Sequence, residues 1–178
     1  MFLMVLRVAA DETEPSKTEQ YSATAMIVSG VGAGKTIGLN IYLHDVTSDE
    51  EIHQLADILK TKGPDGLEDA LDKIKEKGRI APLGGTGNDV SVVRVLQNKK
   101  GKRIRMVTNR NIGFMELRDS PRIRDYKFSV LELRLDPTGK GEGTLLYATK
   151  IKFNKKGELE LEQYGETPIR LVNVRQEK

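Results

Sequence analysis

Apolar residues recur at every second position through much of this chain, the pattern of strands with one buried face. Residues 21–28 carry it first, and residues 35–44 repeat it with Ile37, Leu39, Ile41 and Leu43 at alternate positions. The period then changes. Ser48-Asp49-Glu50-Glu51 is a capping box, in which the Ser48 hydroxyl and the Glu51 carboxylate satisfy each other's orphan backbone N–H groups. Ile52, Leu55, Ala56 and Leu59 follow at helical spacing. Gly63-Pro64 then stops one helix and opens another, which carries Leu67, Leu71 and Ile74 inward and ends at Gly78. Each segment has a single apolar stripe, so the pair has to lie on a sheet.

Strand periodicity resumes over residues 89–96, 102–108, 127–135, 144–153, 158–164 and 168–174. In 127–135, Leu131, Leu133 and Leu135 share one face while Glu132 and Arg134 share the other. Asn154-Lys155-Lys156-Gly157 reads as a hairpin turn that sets Lys150 and Lys152 against Glu158, Glu160 and Glu162. The prediction is an α+β fold: an antiparallel β-sheet or small β-barrel of about eight strands, with a two-helix hairpin inserted at residues 48–77. Residues 19–178 form one β-rich domain on this reading, and residues 1–18 are a leader remnant or disordered tail.

Between the first two strands stands Gly30-Val31-Gly32-Ala33-Gly34-Lys35-Thr36, one residue short of the G-x-x-x-x-G-K-[ST] phosphate loop. A phosphate loop opens a helix, whereas a strand period follows here, so a Gly-rich β-hairpin turn is the favoured reading. A second Gly-rich stretch, residues 79–89, also precedes a strand and reads as a wide connection. At the mouth of a barrel its Asn88 and Asp89 would be ligand contacts.

Composition narrows the chemistry. The 178 residues include no cysteine and two histidines, which removes disulfides, thiol catalysis and His-rich metal sites. His44, Asp45, Asp49, Glu50 and His53 crowd together, but acids at a helix start answer its dipole, and no H-E-x-x-H spacing is present. No metal or cofactor is expected. No serine lies in a G-x-S-x-G turn, so no catalytic residue is assigned, although acids that converge only on folding could still do acid–base work. No run of eighteen apolar residues occurs, so no transmembrane helix is predicted.

The net charge of +3 conceals an asymmetry: residues 45–76 hold ten acids against four lysines, and residues 94–127 hold eleven Lys/Arg against three acids. The two segments either neutralise each other or steer an anionic partner. Arg103 and Arg105 share one strand face opposite Ile104 and Met106, while Arg118, Arg122 and Arg124 fall in a long connection flanked by Asp119 and Asp125. These arginines are the candidate contacts for a carboxylate or phosphate. Nucleic-acid binding would call for aromatic residues among the charges, and Phe114 and Tyr126 are the two nearby.

Residues 1–10 are apolar and end in Val8-Ala9-Ala10 before a polar spacer, which looks like the tail of a secretory signal peptide, although Arg7 interrupts it. A short N-terminal strand is the alternative. YSATA at 21–25, GRIAPLGGTGNDVSVVR at 78–94, IGFMELRDSPRIRDY at 112–126 and GKGEGTLLYATKIKFNKKGELELEQYG at 139–165 resemble a family of uncharacterised bacterial proteins that read as exported. The resemblance implies a fold type and a periplasmic or extracellular compartment, with no established activity or site residue. The expected function is a non-catalytic exported module that binds a small anionic ligand or a protein partner. The alternatives are a cytoplasmic nucleic-acid-associated protein using the same basic face, and an enzyme with carboxylate acid/base residues.

Overall fold

The computed structural model describes residues 18–29, 32–110, 112, 125–164 and 167–177. Ten antiparallel strands and one helix follow in the order β1 (Glu19–Met26), β2 (Thr36–Leu43), α1 (Asp49–Leu71), β3 (Gly78–Pro82), β4 (Asn88–Val90), β5 (Val92–Asn98), β6 (Gly101–Thr108), β7 (Phe128–Leu135), β8 (Lys140–Phe153), β9 (Leu159–Gln163) and β10 (Ile169–Gln176). They make a nearly closed barrel with the strand order β4-β3-β2-β1-β10-β8-β7-β6-β5, and β9 pairs with the far half of β8. The two ends of this order are joined by the chain itself. β4 pairs with β3 and β5 with β6, while Ser91 between them donates its N–H to the carbonyl of Val107 at 3.0 Å.

The α+β class and barrel-like sheet therefore agree with the sequence pattern, and two details differ. The strand count is ten rather than about eight, because Gly78–Pro82 is a strand within the stretch read as a loop, and a bend at Ser91 divides residues 88–98. GRIAP is short and ends in proline, which hid its alternation of buried Ile80 and exposed Arg79. The helical insertion is one element, α1, rather than a two-helix hairpin. Gly63 inside it leaves helical geometry at φ 71° and ψ −168° just before Pro64, so α1 consists of two helical segments that meet at a kink, at the boundary read from the sequence. The leader reading of residues 1–18 falls almost wholly outside the described residues.

Alternation decides what the wall buries. Tyr21, Ala23 and Ala25 of β1, Leu39, Ile41 and Leu43 of β2, Ile104 and Met106 of β6, and Leu131, Leu133 and Leu135 of β7 all point inward and pack one continuous core. The outer face of β5–β8 carries a second apolar strip, Val92, Phe128 and Ile151, and α1 covers it with Leu55, Leu59, Leu67 and Leu71. Each buried leucine is worth roughly 1.5–3 kcal/mol relative to exposure, so this face holds the helix in place.

Charge completes the attachment, because the acidic segment does fold onto the basic one. Arg94 reaches Asp49 at 2.6 Å, Lys127 reaches Asp65 at 2.7 Å and Glu68 at 2.5 Å, and Asn109 bonds Asp72. Buried Lys77 meets Glu51 at 3.1 Å and Asp45 at 3.4 Å. The capping box at Ser48 and Glu51 is present as read from the sequence. Lys150 stands opposite Glu162 and Lys152 opposite Glu160 across β8 and β9, also as read.

Candidate functional site: an arginine cluster on the outer wall

The period-two geometry that sends Ile104 and Met106 inward turns Arg103 and Arg105 outward on β6. On β7 it turns Glu132 and Arg134 outward against the buried leucines. Register then sets the neighbours: Arg105 lies opposite Glu132, and Arg103 lies opposite Arg134. Glu132 is 15% exposed and accepts from Arg105 Nε at 2.6 Å and from Arg134 Nε at 2.7 Å, one arginine on each carboxylate oxygen. Burial alone would raise the Glu132 pKa, but the hydrogen bonds and positive charge of the two arginines outweigh it and hold the carboxyl below its ordinary value.

Within β5, β6 and β7, two cross-strand pairs set like charges face to face. Arg94 opposes Arg105, and Arg103 opposes Arg134. Directly opposed residues on antiparallel strands sit about 5 Å apart, and like charges there are destabilising. Arg94 is taken up by Asp49 and the Thr47 carbonyl. Arg103 has no hydrogen-bond or ion-pair partner among the described residues, and its guanidinium is exposed. Beyond β7 the same face continues into a shallow cleft lined by Glu132, Arg134, Glu142, Gly143, Thr144 and Arg170. Thr144 stands between Glu132 and Arg170 in register, so arginines flank the cleft on both sides.

The other predicted residues do not join this cluster. Asp89 is held by Arg79, its neighbour across β3 and β4, at 3.3 Å, and Asn88 pairs with Ile80 on the same short strand. Both lie on β4, and neither lines the cleft. Arg118, Arg122 and Arg124 lie outside the described residues. The Gly-rich segment before β2 joins two adjacent antiparallel strands, with Gly32 and Gly34 at positive φ and a strand following. Among the described residues no group of three or more His, Asp or Glu side chains is placed to hold a metal ion.

One other polar cluster has the composition of a site. Lys102 points into the barrel and meets Glu19 at 2.8 Å and the Tyr21 hydroxyl at 3.2 Å, with Tyr21 also bonded to Glu19. Burial, then the Glu19 carboxylate, raises the Tyr21 pKa and keeps its hydroxyl protonated. The ammonium, carboxylate and phenol satisfy one another across the lumen, which makes this a brace between β1 and β6.

Glu132, Arg134, Thr144 and Arg170 were missed as site residues. Their outward placement is legible in the alternation, but which strand neighbours which is not, and the cluster exists only through the β6–β7–β8–β10 pairing. No protein-family model matches this sequence, and neither a curated protein nor a solved structure matches it.

Proposed function

We propose that this protein is a binding module whose outer wall at Arg103, Arg105, Arg134 and Arg170 receives an acidic segment of another protein. The observation that carries the reading is the Arg103–Arg134 pair, like charges opposed across two strands with Arg103 unpartnered among the described residues. Such a pair costs stability in the free protein and is relieved when carboxylates arrive. The barrel core is filled by side chains and the wall is open, which suits an extended partner better than an enclosed small molecule. Glu132 and Glu142 lie among the arginines, and no aromatic side chain lines the cleft. A mixed-sign surface without stacking platforms favours a protein of mixed charge over a nucleic-acid backbone, whose charge is uniformly negative.

The test is fluorescence anisotropy with fluorescein-labelled octaglutamate, alongside a labelled DNA duplex of similar charge. Octaglutamate binding is expected, weakening about three- to ten-fold on Arg103→Ala or Arg134→Ala and falling with added salt. No binding, or binding indifferent to both substitutions, would refute the reading. Tighter capture of the duplex, with a steep salt slope, would replace it with nucleic-acid binding.

A further inference from the structure

We infer that Glu132 is a positioning residue for this site: an acid within an anion-binding surface that strengthens binding by fixing two arginines. The inference rests on the reading above and goes beyond it in assigning a role to a carboxylate that simple electrostatics counts as harmful.

The geometry is specific. Glu132 is largely shielded, and each of its oxygens accepts from the Nε of a different arginine, Arg105 on the neighbouring strand and Arg134 two residues along its own. Because both contacts use Nε, the two Nη groups of each guanidinium are left as an end-on fork for a second carboxylate. The arginines themselves are half or more exposed, at 54% and 63%. Without an anchor, exposed arginines sample many rotamers, and ordering each one on binding weakens the affinity. Glu132 bears that cost in the free protein. Arg103, opposite Arg134, adds a third cation beside the pair. Arg103, Arg105, Arg134 and Arg170 outnumber Glu132 and Glu142 on this face, and Glu132 aims two of the four.

Glu142 supplies the internal comparison. It lies directly opposite Arg134 on β8 and lines the same cleft, yet it has no hydrogen-bond or ion-pair partner among the described residues. Both acids contribute one negative charge to the surface, and one of them holds arginines.

The two carboxylates are therefore expected to respond with opposite signs. Glu142→Gln should tighten octaglutamate binding, about two-fold, by removing a repelling charge. Glu132→Gln removes the same charge and should weaken binding about five-fold, because a neutral amide offers one acceptor where two arginines were held. In the free protein, NMR signals of the Arg105 and Arg134 Nε–H groups should be sharp and slow to exchange with Glu132 present and broaden in Glu132→Gln. Tightening by Glu132→Gln equal to that of Glu142→Gln would overturn the positioning role while leaving the site intact. Persistence of both sharp Nε–H signals in Glu132→Gln would also overturn it, whatever the affinity does. If Arg103→Ala and Arg134→Ala leave binding unchanged, the site itself falls, and with it the role of Glu132.

Discussion

Replacing Lys77 by Met tests whether charge, as well as apolar packing, holds the helix to the barrel. Lys77 is 8% exposed, and its ammonium meets Glu51 at 3.1 Å, the Val46 carbonyl at 3.2 Å and Asp45 at 3.4 Å. Methionine keeps most of the stem packing and removes the three donors. Hydrogen bonds to a charged group are worth roughly 1.5–3 kcal/mol each, but Glu51 and Asp45 are 38% and 64% exposed and rehydrate when abandoned. Relief from burying an ammonium offsets part of the rest. The expected net loss is about 2 kcal/mol, which at a urea m-value of about 2 kcal/mol/M lowers the unfolding midpoint by about 1 M.

Glu51→Gln isolates the ionic part, because glutamine also serves in a capping box. A double-mutant cycle of the two substitutions should give a coupling of about 1 kcal/mol. Coupling below about 0.3 kcal/mol would refute the idea that the pair fastens the helix. The pH dependence follows with a definite sign. The Glu51 pKa is held below its ordinary 4.5 by the Ser48 backbone N–H first, against burial, with help from Lys77. Its stabilisation is therefore fully present above pH 4.5 and is lost as pH falls through the lower folded-state value. Lys77→Met should make that acid loss shallower.

Two further outcomes follow from the packing. Gly101 opens β6 at φ 140°, and a Cβ there would lie 2.0 Å from the Leu135 carbonyl oxygen, whereas at Gly63, φ 71°, a Cβ meets nothing within 4 Å. Both substitutions place a side chain on a backbone that favours glycine, Gly63 at φ 71° and ψ −168°, but only Gly101 adds a backbone clash, so Gly101→Ala should cost at least about 2 kcal/mol more than Gly63→Ala in urea unfolding; similar costs would contradict the steric account. Among the described residues β9 pairs only with β8 and exposes Leu159 at 58% and Leu161 at 43%. Replacing both by lysine should slow concentration-dependent aggregation in light scattering while moving the melting temperature by less than about 2 °C.

What the sequence disclosed follows from the range of the forces involved. Alternation and capping are local, so β2, β7 and the Ser48–Glu51 helix start could be read from a few neighbouring residues. β3 could not. Five residues ending in proline resemble a loop until β2 and β4 pair with them on both sides. The bend at Ser91 is likewise tertiary, since its N–H is claimed by Val107 rather than by a turn. The same holds for Gly63-Pro64: the break is written in the residue types, but the direction of the following segment is set by Leu67 and Leu71 finding the strip around Phe128.

The site was half legible for the same reason. Outward arginines at 103 and 105 are a matter of period, and their meaning depends on what stands across the next strand. Had β7 presented an acid opposite each, the basic segment would be a neutralised wall. Instead Glu132 faces Arg105 and Arg134 faces Arg103, so a single carboxylate is divided between two arginines and a third is left over. A sheet selected for stability alone would gain from an acid at position 134, because opposite charges across a strand pair contribute up to about 1 kcal/mol and like charges subtract a similar amount. The barrel core and the apolar strip under α1 can carry that deficit. The cost falls on Arg103, which has an arginine across one strand pair and a leucine across the other, whereas Lys150 and Lys152 have acids standing ready across β9.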